Sequence, residues 1–156
     1  MTDAEILAIF EAHHPSNVDS LRQLGVEATY VTAGTSREGY RLSDNLLVKF
    51  QFNRDGQSEY EINCIRKINR YRKYEDLRKH IPTLHYANKK TGTLIVTFYP
   101  EESPYNSPVV RKERERLTNE FRNRLNVVDL HDGNFRMDAN GYQIVIDLGW
   151  REYKNV

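Results

Sequence analysis

Ile6, Leu7, Ile9 and Phe10 recur at helical spacing, which predicts an amphipathic helix over residues 3–12, entered through Thr2 or Asp3 and ended by Pro15. A second, short helix is expected over 18–24, with Ser16 as its cap and Gly25 just past its end. The pattern then changes to strands. Residues 28–32 are β-prone, 33–39 form a turn-rich loop, and 40–42 resume the strand as a hairpin. After the tight turn Ser43-Asp44-Asn45, a third strand covers 46–52 and a loop covers 53–57. Ile62, Ile65 and Ile68 then mark a helix from Ser58 to about Lys79.

Beyond Pro82, residues 84–87 and the apolar run 94–98 read as two strands joined by a turn at 89–92. Three of the five prolines fall in 100–108, so that stretch reads as a connector. The next helix is expected over 109–125, with Val110, Leu117, Phe121 and Leu125 as its apolar stripe and arginines on its other faces. A loop at 129–134 and two short strands, 135–137 and 142–146, close the pattern. The order β-β-β-α-β-β, connector, α, loop, β-β predicts an α+β chain of two lobes within one domain: 1–99, a connector at 100–108, and 109–156.

Composition narrows the function classes. With 38% hydrophobic and 29% charged residues, and no apolar run near the roughly 20 residues that span a bilayer, the expectation is a cytoplasmic protein without a membrane partner. The N-terminus mixes Asp3 and Glu5 with apolar residues and lacks a basic region, unlike a signal peptide. Cys64 is the only cysteine, which excludes an intramolecular disulfide and a multi-cysteine zinc site; its apolar setting predicts a buried thiol. Net charge is only +1, but seven of the residues from Arg66 to Lys79 are basic. A solvated helix face is the first reading of that run, and a nucleic-acid contact through 66–79 the weaker one. His13 and His14 at a helix end are expected to be solvated, and His80 and His85 flank Pro82 without metal-ligating neighbours.

The chemistry concentrates in Val127-Val128-Asp129-Leu130-His131-Asp132-Gly133-Asn134 and Ile144-Val145-Ile146-Asp147-Leu148-Gly149. Magnesium-dependent phosphoryl transfer needs two hard oxygen ligands and a separate carboxylate beside the attacking hydroxyl. Loops framing a hairpin can supply all three. The string Asp-Leu-His-x-Gly-Asn, a hairpin, then apolar-Asp-apolar-Gly closely resembles the catalytic and metal-binding loops of aminoglycoside phosphotransferases, choline kinase-type enzymes and small bacterial or phage kinase-like proteins. Asn134 lies five residues after Asp129 and Asp147 thirteen after Asn134, as in the protein-kinase loops. The resemblance implies that Asp129 is the catalytic aspartate, that Asn134 and Asp147 hold Mg²⁺, and that ATP is the cofactor. It also implies a protein kinase-like fold: a five-stranded antiparallel N-lobe with one main helix, and a minimal C-lobe. Only seven residues follow Gly149, so a short form lacking most of the C-terminal lobe is expected.

The same resemblance gives the upstream half its roles. Lys49, between Val48 and Phe50 in the third strand, resembles the lysine that contacts the α- and β-phosphates. Of the two glutamates that compete to be its partner, Glu61 lies within about 40° of Ile65 and Ile68 at about 100° per residue, and Glu59 lies on the far side. Glu61 is therefore the expected partner. Gly34, Thr35, Ser36, Arg37 and Gly39 occupy the place of the loop that covers the phosphates, with hydroxyl donors at 35 and 36 and a charge at 37. Thr97, Phe98 and Tyr99 would be the hinge whose backbone reads adenine. Val127 stands two before Asp129, where the family pattern has histidine, so that scaffold contact is missing. His131 is expected to fix loop geometry, and Trp150 to pack or to mark a partner contact.

The function expected is an ATP- and Mg²⁺-dependent phosphotransferase acting on a hydroxyl of a protein, a small molecule or the chain itself, with nucleotidyl transfer left open. The alternative is a nucleotide-binding pseudokinase that regulates or inhibits a partner. A second copy or another protein completing the C-lobe is the expected assembly.

Overall fold

Thr2 opens the first helix with a reciprocal cap: its hydroxyl accepts from the Glu5 amide while the Glu5 carboxylate accepts from the Thr2 amide. Helix α1 (Asp3–His13) buries Ile6 and Phe10 and stops at His14, whose backbone is left-handed. In this computed structural model, which describes residues 1–34, 36–53, 55–100, 107–128 and 130–149, α2 (Val18–Gln23) follows. Its cap is Asn17, whose side chain accepts from the Ser20 amide at 2.8 Å, and not the expected Ser16. Gly25, with φ of +86°, ends the turn as expected.

Five strands build one antiparallel sheet: β1 (Thr29–Ala33), β2 (Arg37–Arg41), β3 (Leu46–Gln51), β4 (Leu84–Asn88) and β5 (Thr93–Thr97), ordered β1-β2-β3-β5-β4. The main helix, α3 (Gln57–Arg70), separates β3 from β4 in sequence. The α+β class and the five-stranded sheet with one main helix are therefore those expected. One boundary differs. Strand β2 begins at Arg37, so Arg37, Glu38 and Gly39 belong to a strand and not to a loop. Their turn-rich neighbours hid a stretch that pairs with β3 at every position, Arg37 facing Gln51 and Gly39 facing Lys49.

The chain divides into two units, Met1–Ile62 with Thr83–Phe98, and Asn63–Pro82 with Tyr99–Val156, the division falling inside α3. The first unit has its own core. Phe10 sits 5.2 Å from Tyr86 and 6.4 Å from Phe50, ring centre to ring centre, and Leu21, Leu46, Val48 and Ile95 join them. Each fully buried side chain of this size contributes about 1.5–3 kcal/mol through removal from water.

The helix expected over 58–79 is in two pieces. After Ile68 the positions that helical spacing would bury are Tyr71 and Arg72, and both are exposed. The chain turns through extended Tyr71, and residues Arg72–His80 continue as a 3-10 segment that buries Tyr74 and Leu77. Arg78 closes the end of α3 by donating to the carbonyls of Ile68 at 2.9 Å and Tyr71 at 3.4 Å. Helix α4 (Pro108–Leu125) starts with Ser107 as its cap and Pro108 in its first turn, and buries Leu117, Phe121 and Leu125. A 3-10 turn at Asp132–Asn134 leads into the antiparallel pair β6 (Phe135–Met137) and β7 (Gln143–Val145). Cys64 is buried, as its setting predicted. No helix among the described residues is long and apolar enough to cross a membrane.

Candidate active site

The sheet register decides which side chains share a face. Residues directly opposite one another, and residues two apart on one strand, point the same way. Gly39 faces Lys49 and Arg37 faces Gln51, so Arg37, Lys49 and Gln51 share one face of the sheet. The start of α3 meets that face: Gln51 accepts from the Ser58 amide at 3.0 Å, and Lys49 and Arg37 converge on Glu61. Lys49 Nζ donates to both Glu61 oxygens, at 3.0 and 2.8 Å, and Arg37 Nη2 donates to Oε1 at 2.9 Å. Glu61 is 1% exposed, while Glu59 is on the exposed side of the helix. Burial by itself would raise the Glu61 pKa. The charges of Lys49 and Arg37, and the hydrogen bonds they donate, more than offset it and hold the carboxyl below its ordinary range.

The Gly34 amide donates to the Arg37 carbonyl at 2.8 Å. Ser36 is wholly buried: its hydroxyl donates to Gln57 Oε1 and its carbonyl accepts from Phe52 and Asn53. The Ser36 hydroxyl and the Arg37 guanidinium, expected to face phosphate, each reach a residue of α3. Gly39 lies within β2, and a Cβ there would come within 3.1 Å of the Thr32 methyl. Along the expected hinge, the Thr97 amide donates to the Thr83 carbonyl at 3.0 Å and the Phe98 amide to the Asn45 carbonyl at 2.9 Å. These two donors are engaged within the fold. Burial, then the charge of Asp138, raises the phenol pKa of Tyr99. Thr35, Asp129 and Trp150 lie outside the described residues, as do 101–106 of the connector.

In the second unit the hairpin acts on Asn134 and Asp147. Phe135 faces Val145 in the β6–β7 register, and the Ile146 amide donates to the Asn134 carbonyl at 2.8 Å. Asn134 and Asp147 thus stand at the same open end of the hairpin although thirteen residues apart. Local bonds orient each side chain. Asn134 Oδ1 accepts from the His131 amide at 2.9 Å, His131 Nδ1 accepts from the Gly133 amide at 3.1 Å, and Asp147 Oδ1 accepts from the Gly149 amide at 3.1 Å. His131 therefore fixes loop geometry, as expected. An amide oxygen and a carboxylate form an all-oxygen donor set, the chemistry magnesium prefers, and magnesium commonly takes only one or two side chains beside phosphate oxygens and water. Among the described residues no three His, Cys, Asp or Glu side chains gather as a metal site. The pair fits magnesium held jointly with phosphates and does not resemble an all-protein cage.

No family model matches the chain, and no curated protein does. Among solved structures, one similar to it is the ternary complex of streptomycin, ATP and APH(2")-IIa, at 17% identity and a TM-score of 0.41. The match covers 85% of this chain and 42% of that one, so the chain spans less than half the length of that structure.

Two participants were not anticipated. One is the contact of Arg37 with Glu61. The other is Arg114, 4% exposed, whose Nη1 donates to Asp132 Oδ1 at 2.8 Å and whose guanidinium lies 5.8 Å from the Phe135 ring centre. It braces the loop on either side of Gly133-Asn134. A signal existed: Arg114 falls between Val110 and Leu117 on the α4 stripe, at a position where helical spacing calls for a buried residue.

Proposed function

We propose that the chain is a kinase-like phosphotransferase that uses ATP and Mg²⁺. The observation that carries this reading is the buried Glu61 carboxylate holding the strand lysine Lys49 by both of its oxygens. A lysine fixed in this way is presented as a single, oriented cation, which suits it to nucleotide phosphates. Asn134 and Asp147, at one end of their hairpin, are the residues that would hold magnesium, which when bound neutralises phosphate charge. Asp129 is the residue assigned to orient the acceptor hydroxyl and take its proton. Gly34, Thr35 and Gly39, the last opposite Lys49, are assigned to the nucleotide, and Tyr99 to the adenine end. The acceptor is a hydroxyl of a protein or small molecule.

A second reading, nucleotide binding without turnover, draws support from the inward-turned Ser36 and the engaged amides of Thr97 and Phe98, which leave fewer contacts for a nucleotide.

The deciding experiment incubates the protein with γ-labelled and α-labelled ATP in parallel, with Mg²⁺, for wild type, Asp129→Asn and Asp147→Asn. Label transferred from the γ-phosphate and lost in both variants is the expected result. Label from the α-phosphate would mean nucleotidyl transfer. Nucleotide binding without label, lost in Asp147→Asn, would favour the second reading, and absence of binding would end both.

A further inference from the structure

Glu61 serves two cations, and the way it divides its oxygens matters. Lys49 spans Oε1 and Oε2, and Arg37 shares only Oε1. If Lys49 alone held the carboxylate, any shift of its ammonium toward a phosphate would strip a buried anion of its counter-charge. Buried carboxylates in that position take up a proton rather than stay charged. Lys49 would then be tied to Glu61 and poorly able to serve another anion.

We propose that Arg37 is a positioning residue that keeps Glu61 ionised independently of Lys49, so that Lys49 can be shared with an anionic ligand. The sharing with nucleotide phosphates rests on the function proposed above; the electrostatic role of Arg37 does not. Three observations carry the inference. Arg37 is 7% exposed and approaches Glu61 at 2.9 Å, the distance of a charge-assisted hydrogen bond. Its guanidinium stays protonated at any accessible pH. Its place is fixed by the sheet register, two residues from Gly39, which faces Lys49, so both cations reach the carboxylate from the same face. Among the described residues, the charged groups acting on Glu61 are Lys49 from β3 and Arg37 from β2; on its own helix, Glu59 points to the exposed side.

The test follows the Glu61 carboxyl by carbon-detected NMR through a pH titration in wild type, Lys49→Met, Arg37→Met, and Lys49→Met combined with either Arg37→Met or Arg37→Lys. Glu61 is expected to remain ionised at pH 7 in Lys49→Met. Its titration should move sharply upward, or the fold be lost, only when Arg37→Met is added, and Arg37→Lys on the same background should restore it. A neutral Glu61 at pH 7 in Lys49→Met alone would overturn the proposal. Binding of Mg²⁺-ATP is measured alongside. A weaker affinity in Arg37→Met with Glu61 still ionised, restored by Arg37→Lys, supports the sharing of Lys49, and an unchanged affinity removes it. If wild type itself does not bind Mg²⁺-ATP, the proposed function fails, and the titration of Lys49→Met still decides the role of Arg37.

Discussion

Each unit buries a titratable side chain, and the two solve the same problem in opposite ways. In the first, Glu61 stays charged because Lys49 and Arg37 surround it. In the second, His80 is 2% exposed and donates from Nδ1 to the Gln143 carbonyl at 2.7 Å, while Nε2 lies 3.8 Å from the Glu113 carboxylate. Burial lowers the His80 pKa; the Gln143 carbonyl and Glu113 act against that without reversing it. His80 is thus neutral near pH 7, and its job is to tie the 3-10 segment to β7. Arg114 is a third case, a buried cation whose partner Asp132 is 62% exposed. A buried charge is tolerable with buried counter-charges, a buried base is tolerable uncharged, and a buried cation is tolerable when its head reaches a solvated anion.

The sharpest way to break this comparison is Glu61→Ala. Removing one partner of a buried ion pair costs about 3–5 kcal/mol, so urea unfolding should show a loss of that size. A loss below about 1 kcal/mol, the level of a surface pair, would mean that Glu61 is not effectively buried. Arg114→Ala should cost less, about 2 kcal/mol, because Asp132 returns to water while a charged hydrogen bond and the packing on Phe135 are lost. Faster amide exchange across 130–134 would mark it as the loop's brace. The smallest effect belongs to His80. Its folded pKa is below the ordinary 6.5, so the unfolded chain binds more protons as pH falls below that value. Stability present above pH 6.5 is lost as pH drops through the lowered pKa, at up to about 1.4 kcal/mol per unit. Glu61 adds a separate loss only below its ordinary 4.5, as pH falls through its own depressed value. His80→Asn keeps a donor for Gln143 and should make the upper limb of the stability–pH curve shallower, with His85, also lowered by burial, supplying the remainder, while leaving the lower limb.

Much of this was legible in the sequence where a rule is local. The order of elements followed from periodicity, and the choice of Glu61 over Glu59 followed from the face shared with Ile65 and Ile68. The break at Tyr71 was less visible, because the basic run continues through it and the stripe resumes with Tyr74 and Leu77 in a different phase. The start of β2 was hidden because Ser36, Arg37 and Glu38 look like turn residues. Ser36 and Arg37 are buried where they meet α3, and Arg37 reaches Glu61 across 24 residues of sequence. Arg114 looked like one arginine among several on α4, although its place in the stripe set it apart. The buried arginines escaped a sequence reading because their partners come from distant segments and hydropathy assigns them to the surface.

The β6–β7 hairpin acts as a ruler read from its open end. What sets the separation of Asn134 and Asp147 is the pairing of Phe135 with Val145 and the bond from Ile146 to Asn134, not the number of residues between them. The turn at Asp138–Gly141 lies at the opposite end and is exposed from Ala139 to Tyr142. Length can therefore be added or removed at that tip without changing the distance between the two side chains, and the cost of closing a longer loop rises only slowly with its length. Spacing along the chain is in this respect a consequence of the hairpin, and the register is what selection on such a pair would have to keep.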